Sequence, residues 1–171
     1  MKKIEFALES FRNIHDLIKF TDQKASAVLV LAGLVITVFL KLSENLYFVS
    51  PSKSSIVQFF AFVAGAITIL GLTYVICLIT LKVLKARLAE NYNQNELSIF
   101  YFEHINQIDK LEMTEKYKSL KKDEMLTYVL DQQSEVSRVL CSKIRFLNQS
   151  LIVMLLSIVM LLVFIVLTRL I

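Results

Sequence analysis

The residues that stand out for their chemistry are an acid and a base two positions apart, Asp22 and Lys24. They lie where a polar-striped segment gives way to a stretch, Ala25 to Leu40, that carries no charge. Two interpretations fit a charge pair at such an edge. In the first, the charges only mark the water line, and Lys24 extends its ammonium group out of the membrane. In the second, they form a fixed polar contact that couples a soluble region to a membrane helix.

Other chemistry-bearing residues are few. The two histidines, His15 and His104, match no metal-binding or hydrolase motif, and Glu103-His104 near Asp109 is more typical of a helix surface than of an acid/base site. The two cysteines have no CxxC or Cys/His spacing, so we expect small packing residues and no metal. The sequence therefore predicts neither an enzyme nor catalytic residues.

Three charge-free stretches dominate the chain, which is 56% apolar. They run over residues 25–40, 54–81 and 146–168, and a helix needs roughly 20 residues to cross a bilayer. The second and third are long enough outright. The first is short, but it can span if Lys24 and Lys41 extend toward the two surfaces. We expect it to be retained, because charges at 5–16 interrupt any leader-like apolar core.

Positive charge is concentrated on two segments. Residues 1–24 hold five Lys or Arg and residues 82–145 hold eleven, against two in the loop 41–53. The positive-inside rule then predicts a cytosolic N-terminus and a cytosolic segment 84–145. Within 85–145 ten basic residues balance ten acidic ones, which argues against nucleic-acid binding.

Helical periodicity extends beyond the spans. Residues 3–24 carry a polar stripe at steps of four and three, and no glycine or proline separates them from the first span, so one helix from about 3 to 42 is expected. Residues 112–122 predict a short helix capped at Thr114. From Asp123 a heptad pattern runs into the last span, with Gln133 and Lys143 at positions that should be apolar.

The predicted fold is therefore an all-α membrane protein. It has three transmembrane helices, an N-terminal amphipathic helix and a small helical cytosolic region, and its last span is continuous with a long cytosolic helix of about 46 residues in all. Such a helix would carry movement from the cytosol into the bilayer. The predicted segments are a cytosolic amphipathic helix (1–24), the first span (25–42), an external loop (43–54), the second span (55–83), a cytosolic sensor region (84–145) and the third span (146–169).

Four short motifs, in this order, give the chain a resemblance to a known family. They are Asp22-Gln23-Lys24-Ala25 at the first span, Ile99-Phe100-Tyr101-Phe102 after the second, Leu130-Asp131-Gln132-Gln133, and Lys143-Ile144-Arg145-Phe146-Leu147 before the third. The chain resembles the transmembrane effectors of bacterial Pycsar anti-phage systems over nearly its whole length. Tyr101 departs from the small or apolar residue of the family's aromatic patch.

The resemblance implies a function. A partner cyclase makes cyclic CMP or cyclic UMP on infection, and the effector senses the nucleotide in the cytosol and disrupts the bacterial inner membrane, which causes abortive infection. It also implies membrane lipids as partners and the nucleotide as activating ligand, without a further cofactor. We expect a homo-oligomer, because three helices rarely enclose a pore. The alternatives are a structural or scaffold membrane protein and a small channel subunit.

A cyclic nucleotide needs a cation for its phosphate and an apolar or stacking wall for its base. For such a ligand the candidate contacts are Phe100, Phe102, Arg138, Lys121 and Lys122, and Arg138 is expected to be partly buried among its apolar neighbours.

The resemblance also favours the coupling interpretation of Asp22 and Lys24. Residues two apart on a helix do not face each other. We therefore expect each to find its partner on another helix, in the segment that holds Asp131, Lys143 and Arg145.

Overall fold

The computed structural model describes residues 2–44, 56–85 and 108–169. Of these residues 95% are helical and none is in a strand, which confirms the predicted all-α class. The helices are α1 (Lys2–Ser43), α2 (Ile56–Leu78) with a π-helical continuation (Ile79–Leu84), α3 (Lys110–Ser119) and α4 (Lys122–Thr168). Phe100, Phe102 and His104 lie outside the described residues.

Helix α1 is a single helix of 42 residues, as predicted from the absence of a breaker before the first span. Its polar stripe is exposed at every position: Glu5, Glu9, Arg12, Asp16, Lys19 and Gln23. The buried residues form a second stripe on another side of the helix, because they are spaced by three, four, seven or fourteen positions. Most of them are small: Ala7, Thr21, Ala25, Val28, Ala32 and Phe39. Small side chains let a neighbouring helix approach closely.

Helix α4 is also uninterrupted, over 47 residues. Its buried residues keep the heptad spacing of three and four deep into the last span: Val129, Leu140, Lys143, Leu147, Ser150, Met154, Ser157, Leu161 and Phe164. The apolar repeat that predicted the first part of this helix therefore continues through residues 150–168, where every residue is apolar or small and the sequence alone shows no pattern.

The chain divides into two compact units. We call Met1–Phe20 with Ala86–Ser142 the head unit, and Thr21–Lys85 with Lys143–Ile171 the span unit. Helices α1 and α4 contribute residues to both units, whereas α2 belongs to the span unit alone.

In the span unit, α1, α2 and α4 pack through two apolar clusters. The first joins Ala25 and Val28 of α1 to Leu147 and Met154 of α4 and to Val75 of α2. The second joins residues further along α1 and α4, Phe39 and Phe164, to Ala64 of α2, which is earlier along that helix. Helices α1 and α4 are thus parallel and α2 is antiparallel to both. These three helices are long and apolar enough to cross a membrane.

Helix α2 packs tightly against α4 at a glycine. A Cβ atom added at Gly71 would collide with the hydroxyl oxygen of Ser157, whose side chain is buried and donates to Val153 O at 2.9 Å. A Cβ at Gly65 would lie 3.2 Å from the ring of Phe164, whereas one at Gly33 would meet nothing within 4 Å. Of these glycines, Gly71 is therefore the one that the packing requires most strictly.

In the head unit, α3 begins at a different cap from the one predicted. The carboxylate of Asp109 accepts a hydrogen bond from the backbone N–H of Leu111, so Asp109 is the N-cap. Thr114 lies inside the helix, and its hydroxyl donates to Lys110 O at 2.8 Å. The prediction of a cap at Thr114 was wrong because Asp109 supplies an acceptor one turn earlier.

Candidate functional site: the Asp22–Lys143 ion pair

The most distinctive polar contact of the span unit joins α1 to α4. Lys143 Nζ donates to both carboxylate oxygens of Asp22, at 2.7 and 3.0 Å. The Lys143 side chain is only 9% exposed and that of Asp22 is 36% exposed. The expected contact between Asp22 and the segment before the last span is therefore confirmed for Lys143.

The pair lies one helical turn from the first apolar cluster. Ala25 and Leu147, the next residues on the same faces, are buried in that cluster together with Val83 of the π-helical segment. Burial makes the two charges depend on each other, because an ammonium left without its carboxylate in such surroundings costs several kcal/mol. The contact thus holds α1 and α4 in one register and opposes any shift between them.

The position of the pair along the chain is also informative. Asp22 is the second residue of the span unit's first segment, and Lys143 is the first residue of its second segment. The ion pair therefore joins α1 to α4 at the point where the two helices enter the span unit. The arrangement is suited to clamping or releasing the two helices, and its chemistry is electrostatic rather than catalytic.

The other polar exception to the heptad, Gln133, also has a partner on α1. Its side-chain amide donates to Ser10 Oγ at 2.8 Å within the head unit. Ser10 was not predicted, since it lies off the polar stripe of α1. A polar residue at a heptad core position was the available signal, because such a residue needs a bonding partner on the facing helix.

The remaining predicted coupling residues are not buried. Lys24, Asp131 and Arg145 are exposed. Arg145 belongs to the span unit and Asp131 to the head unit. A coupling role for these three residues stays a prediction.

The predicted ligand contacts are dispersed over the described part of the head unit. Lys121 and Lys122 are exposed at the start of α4. Arg138 lies about 24 Å further along the same helix at 1.5 Å per residue, so one small ligand does not reach both. The expected partial burial of Arg138 was wrong: its side chain is 61% exposed because it turns back to Glu135, at 2.8 Å.

Within the ranges 2–44, 56–85 and 108–169 no group of three His, Cys, Asp or Glu residues could hold a metal ion. Cys77 and Cys141 are both free and exposed. They were expected to be small packing residues, and exposure of both side chains corrects that expectation.

The fold and the site define a class: a membrane protein of three apolar helices, two of which share a half-buried ion pair and also contribute to a more polar unit. The family model PycTM, described as the Pycsar effector protein domain, matches residues 6–170. Because this match covers nearly the whole chain, the chain belongs to the PycTM family of Pycsar transmembrane effectors. No curated protein and no solved structure matches it.

Proposed function

We propose that the protein is an anti-phage effector that senses cyclic CMP or cyclic UMP and then disrupts the bacterial inner membrane, so that the infected cell dies. The observation that carries the proposal is the family match over residues 6–170. The three apolar helices supply the part that acts on the membrane. A partner cyclase supplies the nucleotide, and the effector itself needs no catalytic group.

The ion pair supports a way to pass the signal. Helices α1 and α4 each have residues in the head unit and in the span unit, and Asp22 and Lys143 bond them where they enter the latter. In the proposed mechanism, nucleotide binding in the head unit changes how α1 and α4 pack. The two helices then carry that change into the span unit, where the ion pair sets the register of the membrane helices.

The proposal includes an orientation and an assembly. The N-terminus and residues 84–145 face the cytosol, where the nucleotide is made, since these segments carry most of the Lys and Arg. Several copies act together. The reason is that the three spans of a single chain rarely enclose a pore.

The test of sensing is the thermal stability of the full chain, purified in detergent, with cyclic CMP, cyclic UMP, cyclic AMP and cyclic GMP in turn. A ligand that binds only the folded state at 100 times its Kd stabilises it by about 2.7 kcal/mol. We expect a rise in Tm with one pyrimidine nucleotide and none with the purines. Equal curves with all four would contradict sensing and would favour a scaffold or a channel subunit without nucleotide gating.

A further inference from the structure

A groove of about 410 Å³ lies between the first three turns of α1 and residues 126–133 of α4, entirely within the head unit. Its volume is in the range of small-molecule sites, which run from about 300 to 1,000 Å³. The residues that line it differ from those that the sequence favoured for ligand binding. Three features of this lining define the chemistry of an occupant.

The first feature is positive charge at one end. Lys2 and Lys3 are exposed charged residues of the lining, and none of the described residues that line the groove is acidic. Two flexible ammonium groups without a nearby acid in the lining attract an anion such as a phosphate.

The second feature is an open apolar wall. Phe6 of α1 is 73% exposed, and it lines the groove with Leu126 and Leu130 of α4. An aromatic ring that stands in water beside two leucines offers a flat surface on which another ring can stack.

The third feature is the pair Ser10–Gln133 at the other end. Their mutual hydrogen bond uses one N–H of the amide and one lone pair of the hydroxyl. By its chemistry the hydroxyl can also donate a hydrogen bond, and the amide can donate a second N–H and accept at its oxygen. Such a set of hydrogen-bond donors and acceptors suits the edge of a nucleobase. The acyl chain of a lipid has no group that could bond to it.

The spacing of the three features fits one molecule. Ser10 follows Lys3 by seven residues, which is about 10 Å along a helix, with Phe6 midway. We propose that this groove is the nucleotide site of the effector: Lys2 and Lys3 hold the cyclic phosphate, Phe6 stacks on the base, and Ser10 and Gln133 read the base edge. The inference rests on the proposed function, because the identity of the ligand as a cyclic pyrimidine nucleotide comes from that proposal.

The test measures binding of cyclic CMP and cyclic UMP to the full chain in detergent. The double variant Lys2→Gln/Lys3→Gln removes two exposed charges without touching the packing, and we expect affinity to fall at least tenfold. Gln133→Leu places an apolar residue at an apolar heptad position, so α4 keeps its packing. We expect this variant to bind more weakly and to discriminate less between the two pyrimidines.

The matched control is Lys110→Gln/Lys118→Gln, which removes the same charge from exposed positions of α3, in the same unit and outside the groove. We expect its affinity to stay within twofold of the wild type. If this control loses affinity and the groove variants do not, the groove is not the site, although the protein still senses nucleotide. If the wild-type chain binds none of the four nucleotides, the proposed function fails and the site falls with it.

Discussion

Replacing Asp22 with alanine is expected to abolish membrane depolarisation in cells that make the activating nucleotide, while the protein still inserts into the membrane. The reason is the contact with Lys143, which joins α1 to α4 and whose lysine is nearly fully buried. Loss of the carboxylate leaves an ammonium without its partner. We expect this to cost about 3 kcal/mol of unfolding free energy, at the low end for buried pairs because Asp22 is partly exposed. The measurement is membrane potential by a voltage-sensitive dye, with membrane fractionation alongside.

A second variant separates coupling from stability. Asp22→Ala/Lys143→Met removes both charges, and replacing a buried ion pair by apolar groups is often neutral for stability. We expect the double variant to regain the wild-type Tm in detergent but not the ability to depolarise. If depolarisation returns together with stability, the pair only supports the fold.

The control for this experiment is Asp16→Ala. Asp16 lies on the same helix and pairs with Lys19 at 3.4 Å, but both side chains are about three-quarters exposed. An exposed pair of this kind contributes close to nothing, so depolarisation and Tm are expected to be unchanged. A fully active Asp22→Ala protein would mean that Asp22 and Lys24 only mark the membrane–water interface and do not couple the two helices.

Gly71→Ala is expected to destabilise the span unit by about 1–3 kcal/mol, which is typical when atoms are added to a tightly packed contact. The added methyl group collides with Ser157 Oγ, so α2 and α4 must separate or the buried serine must leave its bond to Val153 O. Thermal unfolding of the detergent-purified protein measures the effect as a lower Tm.

Two further variants make this prediction specific. With Ser157→Ala added, the nearest atom to the new methyl group is the Cβ at 3.4 Å, an ordinary contact, so the double variant should regain most of the Tm. Gly33→Ala is the matched control, because its Cβ meets nothing within 4 Å and alanine is the better helix former. An unchanged Tm in Gly71→Ala, or no rescue by Ser157→Ala, would contradict the close packing of α2 on α4.

Much of this fold could be predicted from local patterns. The continuity of α1 and α4 follows from the absence of breakers, and the polar stripe of α1 predicts its exposed face correctly. The two polar exceptions in the heptad of α4, Gln133 and Lys143, each form a hydrogen bond to α1. A polar group at a core position signals a partner, and for Lys143 the sequence already contained a plausible one in Asp22.

Other features depend on tertiary context that no local pattern carries. The π-helical turns at the end of α2 occur in the run Ile79–Leu84, whose composition is equally suited to an α-helix. Ser10 as the partner of Gln133 and Ser157 as the neighbour of Gly71 require the relative register of two helices. Arg138 was expected to be partly buried because of its apolar neighbours, but its own side chain reaches Glu135 instead.

The measurement that tests the central claim most directly is release of a trapped dye from liposomes that contain the purified full chain, with each of the four cyclic nucleotides added in turn. We expect rapid release with one pyrimidine nucleotide and only background leakage with cyclic AMP and cyclic GMP. Leakage that is the same with every nucleotide and without any would contradict a nucleotide-triggered effector.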